Sequence, residues 1–149
     1  IGLLADEYTG GATIPAAQAT ALRNGQQKGY YLNLDLTNDL SAIRWREFIG
    51  QPGYDMVGAY EGGYQYAYGV WRPEQTSIMK QSSAPGAAFN APSRALIVQR
   101  LLKAAGESYS FNAFLTKDVI PPTTKGTAYF GSGEESHTPP FLDGRPTGW

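Results

Sequence analysis

The chain has 149 residues, of which 42% are hydrophobic and 17% charged, so it is about the size of one domain and can bury a core. Its net charge is −1 with acids and bases interspersed, which argues against a nucleic-acid partner bound through a basic stripe. No apolar run approaches the roughly 20 residues that span a bilayer, so we expect no transmembrane segment. Cysteine is absent, which excludes disulfides and thiolate metal sites.

Two helices are predicted in the first third of the chain. The first spans 13–29, with Thr13 as cap and a glycine as C-terminal stop, and its weak apolar face places it on the surface. The second spans 37–50, where Ile43 and Phe48 recur near helical spacing.

The third predicted helix is the clearest of the three and should be a core element. Asn90 and Pro92 open it and Gly106 closes it. One apolar stripe runs along it, formed by Ile97, Val98, Leu101, Leu102 and Ala105.

Between the second and third helices, tyrosines alternate with other residues at the period of a strand. Tyr64, Tyr66, Tyr68 and Val70 would share one face of a short β-ribbon bounded by glycine turns. We therefore predict an α+β fold of helices, irregular Gly- and Pro-rich loops and one short β-ribbon. The last segment, 121–149, is rich in Gly, Pro, Ser and Thr and reads as an extended tail.

Two short stretches point to chemistry. In "IGLLADEYTGG", adjacent carboxylates at Asp6 and Glu7 follow an apolar run. Such a pair is either a solvated helix exit or the last ligand of a metal site whose other ligands lie upstream. In "WRPEQTSIMKQ", Met79 follows a turn-like region ahead of a long helix. A lone Met is usually packing, but "SIM" is also a form of the Met-turn that underlies the metal in metzincin zinc peptidases.

Read together and in order, several segments carry a resemblance to a known family. They are "GLLADEY", "GYYLNLDLTND", "IRWREFIG", "VGAYEGGYQYAYGVWRPEQTSIM" and "FNAPSRALIVQRLLKAAGE". Together they resemble the catalytic domain of the IgA-peptidase family of metzincin-like zinc endopeptidases, over residues from Gly2 to Asp118. The resemblance implies that 1–120 is the C-terminal part of a catalytic domain in a secreted or cell-surface enzyme, with zinc as cofactor.

The resemblance also implies a part that this sequence does not contain. In such enzymes "LADEY" follows a helix bearing His-Glu and a second His, which bind zinc and supply the general base. Here His137 is the only histidine, and its setting in "EESHTPP" is typical of a solvated tail. The implied partners are therefore the missing N-terminal part of the same domain and a protein or peptide substrate, and this chain alone should be inactive.

Site residues follow from the same resemblance. Gly2 is the candidate glycine before the third zinc ligand, and Asp6 the candidate ligand, with Glu7 left open as ligand or as a group that orients one. Met79 would form the Met-turn. Tyr60, Glu61 and Arg72 would line the substrate cleft, although Glu61 is left open as a solvated turn residue. Arg72 should pair with Glu61 or Asp6.

Two other functions remain open. Tyrosines on a Gly-rich ribbon are also typical of carbohydrate-stacking surfaces, so the runner-up is a sugar-binding or structural interaction module. It would use Tyr64, Tyr66, Tyr68 or Trp71 and no metal. The third possibility is an enzyme that has lost its activity and persists as a structural or interaction fragment.

Overall fold

The computed structural model describes residues 2–81 and 88–119. Within those ranges the chain is α+β, as predicted, with three α-helices and one two-stranded antiparallel sheet. The predicted tail and His137 lie outside the described residues. None of the helices in the described ranges is both long and apolar enough to cross a membrane.

The elements follow one another along the chain with long irregular connections. In order they are α1 (Ala16–Gln27), a 3-10 segment (Arg46–Phe48), β1 (Tyr60–Gly63), β2 (Tyr66–Arg72), α2 (Ala91–Ala104) and α3 (Phe111–Lys117).

The first predicted helix is confirmed as α1, with one correction at its start. Thr13 does not cap it, because Thr13 forms a parallel bridge with Tyr68 on β2, and Pro15 stands at the cap position. Most of α1 is exposed, as its weak apolar face predicts, while Leu22 is fully buried.

The second predicted helix, 37–50, is wrong: only the 3-10 segment forms there. In an α-helix the Arg44 N–H would donate to the carbonyl four residues back, but here it donates to Asp35 Oδ2 at 2.9 Å. Ile43, Trp45 and Phe48 are all buried. Positions i, i+2 and i+5 do not share one face of an α-helix, so an irregular backbone is needed to direct all three side chains into the core.

The predicted ribbon is confirmed as a hairpin, but its register differs from the prediction. Tyr64 lies in the turn rather than in a strand, with φ of 54°, and Gln65 follows with φ of 67°. Two successive left-handed residues make a type I′ turn, which usually holds Asn and Gly. The turn is held from outside, because the Tyr64 and Gln65 N–H groups donate to the carbonyls of Asp6 and Tyr8, each at 2.9 Å.

The third predicted helix is confirmed as α2, with both of its ends as expected. Asn90 caps it through its side-chain oxygen, which accepts from Ser93 N at 2.9 Å. Gly106, with φ of 76°, follows the C-terminus. At the far end, α3 is tied back to α2 by an ion pair in which Arg94 Nη2 lies 2.6 Å from Asp118 Oδ2.

Two apolar clusters form the core of the described chain. One joins the N-terminal half of α2 to α3 and the 3-10 segment, through Ile43, Trp45, Phe48, Tyr54, Val57, Ala91, Ala95 and Phe114. The other joins α1 and β2 to the chain start, through Ala5, Leu22, Leu34 and Val70.

The predicted role of the α2 stripe is wrong in one respect. Leu101 is 63% exposed, and the buried residues of α2 are those of its first turns instead. The helix is anchored by its N-terminus, because Asn90 Nδ2 donates to the buried Glu7 carboxylate and Ala91 N donates to the buried Glu74 carboxylate. Its C-terminal half leaves an apolar side chain in solvent.

Leu34→Ala should therefore destabilise this chain far more than Leu101→Ala. Leu34 is fully buried, and removing a buried leucine costs about 2–5 kcal/mol. Leu101→Ala should change the free energy of unfolding by no more than about 0.5 kcal/mol, since exposed substitutions have small effects. Urea unfolding measures both. An equal loss for the two variants would contradict the prediction and show that the Leu101 face is covered in solution.

Candidate functional site

A buried carboxylate stands at the centre of the region that the sequence singles out. Glu7 is 0% exposed. Its Oε1 accepts from Asn33 Nδ2 at 2.8 Å and from Asn90 Nδ2 at 2.7 Å, and its Oε2 accepts from the Ser77 hydroxyl. Each donor comes from a different segment of the chain, so this one side chain ties three distant segments to the chain start.

The electrostatic setting of Glu7 is dominated by its burial. Removal from water raises the pKa of Glu7 above its ordinary value, while the bonds from Ser77, Asn33 and Asn90 and the charge of Arg72 oppose that rise. Both carboxylate oxygens of Glu7 accept hydrogen bonds from protein donors, so Glu7 acts as a structural anchor rather than as a free metal ligand.

Asp6 lies beside Glu7 but faces the other way. Its side chain is exposed, and Oδ1 accepts from the Tyr8 N–H at 2.8 Å. Adjacent side chains of an extended chain point to opposite sides, so burying one of the two carboxylates exposes the other. Of the pair, Asp6 is the one with an accessible oxygen.

The predicted Met-turn lies directly against this segment. Lys80 N and Gln81 N both donate to the Ser77 carbonyl, at 3.1 and 3.0 Å, which closes a tight turn around Met79. The Met79 carbonyl accepts from Glu7 N at 3.0 Å, and its side chain is half-buried. The fold therefore brings together two predicted segments that are 70 residues apart between Glu7 and Ser77.

Arg72 does not pair with the side chains of Glu61 or Asp6, which corrects that expectation. Its Nη1 donates to the carbonyls of Glu61 and Gly62 at 2.6 and 2.8 Å, and its Nη2 to the Gln75 carbonyl at 3.3 Å. The irregularity in β1 between Glu61 and Gly63 accompanies these two carbonyl contacts. Arg72 is buried, and it braces the hairpin through backbone oxygens.

The other two cleft candidates make contacts within the same part of the fold. Glu61 is exposed, and its Oε1 accepts from Gly69 N at 3.0 Å across the hairpin. Tyr60 is half-buried, and its hydroxyl donates to the Met56 carbonyl at 3.1 Å. A cavity of about 450 Å³ lies elsewhere, between the 3-10 segment and α2, and no predicted site residue lines it.

The residues present fit one position of a zinc site. An aspartate oxygen is an ordinary zinc ligand, and the exposed Asp6 carboxylate meets that requirement. Within residues 2–81 and 88–119, no group of three His, Cys, Asp or Glu side chains is close enough to hold a metal. The further ligands of such a site would have to come from outside the described residues.

Sequence reasoning missed three members of this site and one neighbouring carboxylate. Ser77 is predicted only as part of the "SIM" stretch and Asn90 only as a helix cap, and no sequence pattern marks Asn33, although buried Asn and Ser are the usual donors to a buried acid. Glu74 is also buried, and its Oε1 accepts from Ala91 N at 2.7 Å in the first turn of α2. Burial raises the pKa of Glu74 to about 7.

Comparison with protein-family models, curated proteins and solved structures finds no match for this chain. The functional interpretation of the site therefore depends on the contacts between its own residues.

The raised pKa of Glu74 predicts that stability falls as pH rises from about 4.5 to about 7. In that window the unfolded chain has lost the proton while the folded chain still holds it, so folding becomes less favourable. Below the window both states are protonated. Above it the loss of folding stability is complete, and it amounts to roughly 3 kcal/mol. Glu7 acts in the same direction, because its pKa is also raised.

The free energy of unfolding, measured by urea titration at each pH, should fall less steeply with rising pH for Glu74→Gln than for the unchanged chain. Glu107→Gln is the matched control, since Glu107 is exposed just beyond α2. Identical slopes for Glu74→Gln and the unchanged chain would show that Glu74 titrates at its ordinary pKa.

Proposed function

We propose that this chain is part of the catalytic domain of a zinc metalloendopeptidase, carrying one metal ligand, the Met-turn and the helix α2 that follows it. The observation that supports this most is the hydrogen bond from Glu7 N to the Met79 carbonyl. It places "LADEY" against "SIM", two segments that the resemblance assigns to the same metal centre. Nothing local in either stretch requires them to meet.

In this proposal each residue has a separate task. Asp6 offers the carboxylate ligand from its exposed side, and Glu7 holds that stretch of chain in place from the buried side. Met79 and its turn would form the floor of the site beneath the metal. Bound zinc would supply Lewis-acid activation of water for peptide hydrolysis. The two histidines and the general-base Glu are expected in an upstream segment, and a protein or peptide is the expected substrate of a secreted or cell-surface enzyme.

The sugar-binding alternative draws less support from the packing of the tyrosines. The rings of Tyr31 and Tyr64 lie 5.8 Å apart and tilted at 52°, and those of Tyr64 and Tyr66 lie 6.4 Å apart at 43°. These rings pack on one another, while Tyr68 is 56% exposed. Glycan binding that is metal-independent and lost in Tyr68→Ala would favour the alternative over the peptidase.

Asp6→Ala should lower zinc affinity more than Glu7→Gln in a polypeptide that joins this chain to the upstream helix. Losing a ligand deletes a metal bond, whereas losing a group that orients the ligand costs about 10–100-fold in affinity. Glu7→Gln keeps the shape of the buried side chain. Competition with a chelator measures the affinity, and cleavage of an unfolded protein measures activity.

Two results would contradict this assignment. A larger loss for Glu7→Gln than for Asp6→Ala, with both variants folded, would reverse the roles of the two carboxylates. Metal-dependent proteolysis by the present chain alone would show that its residues suffice, which the proposal denies.

Met79→Leu should loosen the site without abolishing the chemistry, because a thioether has no acid–base role near neutral pH. The change nearly conserves volume and should cost less than about 1.5 kcal/mol of stability. Met56→Leu is the matched control, since Met56 is also half-buried but packs on the apolar cluster that contains Phe48. We expect Met79→Leu alone to weaken zinc binding; equal zinc affinities for the two variants would count against a Met-turn.

A further inference from the structure

We infer that Asn33 is a positioning residue that fixes the direction of the Asp6 carboxylate, an inference that rests on the proposed function. Asn33 is 0% exposed and lies 28 residues from Ala5 in sequence. Its Oδ1 accepts from Ala5 N at 2.7 Å, and its Nδ2 donates to the Ala5 carbonyl at 3.0 Å and to Glu7 Oε1 at 2.8 Å.

These three bonds hold the chain on both sides of Asp6. On one side the two backbone polar groups of Ala5 are taken by a single side chain, much as a neighbouring strand would take them. On the other side Glu7 is held by its carboxylate, and its N–H is held by the Met79 carbonyl. The Asp6 carbonyl also accepts from Tyr64 N at 2.9 Å. With its backbone fixed in this way and its Oδ1 accepting from Tyr8 N at 2.8 Å, the Asp6 carboxylate is held in one direction.

An asparagine suits this position because of its particular hydrogen-bonding groups. Its amide offers one acceptor and two N–H donors on a short stem, and all of these are used here. An aspartate of the same size can accept from Ala5 N, but it cannot donate to the Ala5 carbonyl. Its second oxygen would also stand beside the Glu7 carboxylate, where like charges repel.

Asn33 is itself held in register by its neighbours. Tyr31 N and Leu32 N donate to the carbonyls of Gly2 and Leu3, at 3.0 and 3.1 Å, so the two stretches run side by side. Gln26 on α1 donates from Nε2 to the Leu34 carbonyl at 2.8 Å. The position of Asn33 therefore depends on α1 and on the apolar cluster that buries Leu34.

The test uses Asn33→Asp in the polypeptide that includes the upstream metal-binding helix. Without metal, amide hydrogen exchange at Ala5 and Glu7 should speed up. With Zn²⁺, affinity should fall by about 10–100-fold, the range for losing a group that orients a ligand. With Co²⁺ in place of zinc, the visible absorption should change, because that spectrum reports the geometry of the ligands.

Three comparisons separate positioning from general destabilisation. Asn24→Asp makes the same chemical change at an exposed position on α1 and should leave the cobalt spectrum unchanged. Phe114→Leu lowers stability through the separate apolar cluster between α2 and α3 and should leave the spectrum of the folded protein unchanged. Adding Glu7→Gln to Asn33→Asp removes the repulsion and supplies an amide donor, so it should restore part of the spectrum.

Asn33→Ser, which replaces the amide by a single hydroxyl and adds no charge, provides the measurement if Asn33→Asp does not fold. A folded Asn33 variant with unchanged zinc affinity and an unchanged cobalt spectrum would overturn the inference and leave the proposed function standing. Failure of the unsubstituted polypeptide to bind zinc would overturn the proposed function, and the role of Asn33 with it.

Discussion

Burial of the Glu7 carboxylate is the constraint on which the arrangement of this region depends. A carboxylate removed from water is costly unless donors surround it, and the donors available here come from separate parts of the chain. Asn33, Ser77 and Asn90 each supply one. Asn90 also accepts from Ser93 N, so the same residue that satisfies Glu7 starts α2. The chain start, the turn around Met79 and the helix α2 are thus positioned by one group.

The outer side of the same stretch holds the hairpin. The Asp6 and Tyr8 carbonyls accept from the two residues of the type I′ turn, which otherwise has an unfavourable composition for left-handed backbone. Glycine is required nearby, because a Cβ at Gly10 would lie 2.1 Å from the Gln65 carbonyl oxygen. The segment that points Asp6 outward is therefore held on one side by buried polar groups and on the other by the hairpin.

Much of the local structure could be predicted from local sequence. The α2 boundaries follow from a capping asparagine and a closing glycine, which act on residues within a few positions. The helix predicted over 37–50 failed because its backbone has a partner outside that window: the Asp35 side chain takes the Arg44 N–H. The Leu101 stripe was misplaced for a related reason, since periodicity identifies an apolar face but not what covers it.

For the candidate site, the sequence by itself determined that two carboxylates stand side by side near the chain start and that a Ser-Ile-Met stretch precedes the last long helix. It left open which carboxylate is free. Only the tertiary structure decided that Glu7 is buried and Asp6 exposed, because the donors that make burial affordable reach Glu7 from as far as 83 residues away, at Asn90. No pattern confined to "LADEY" contains that information, because the hydrogen-bond donors that the fold brings close decide which of the two carboxylates is buried.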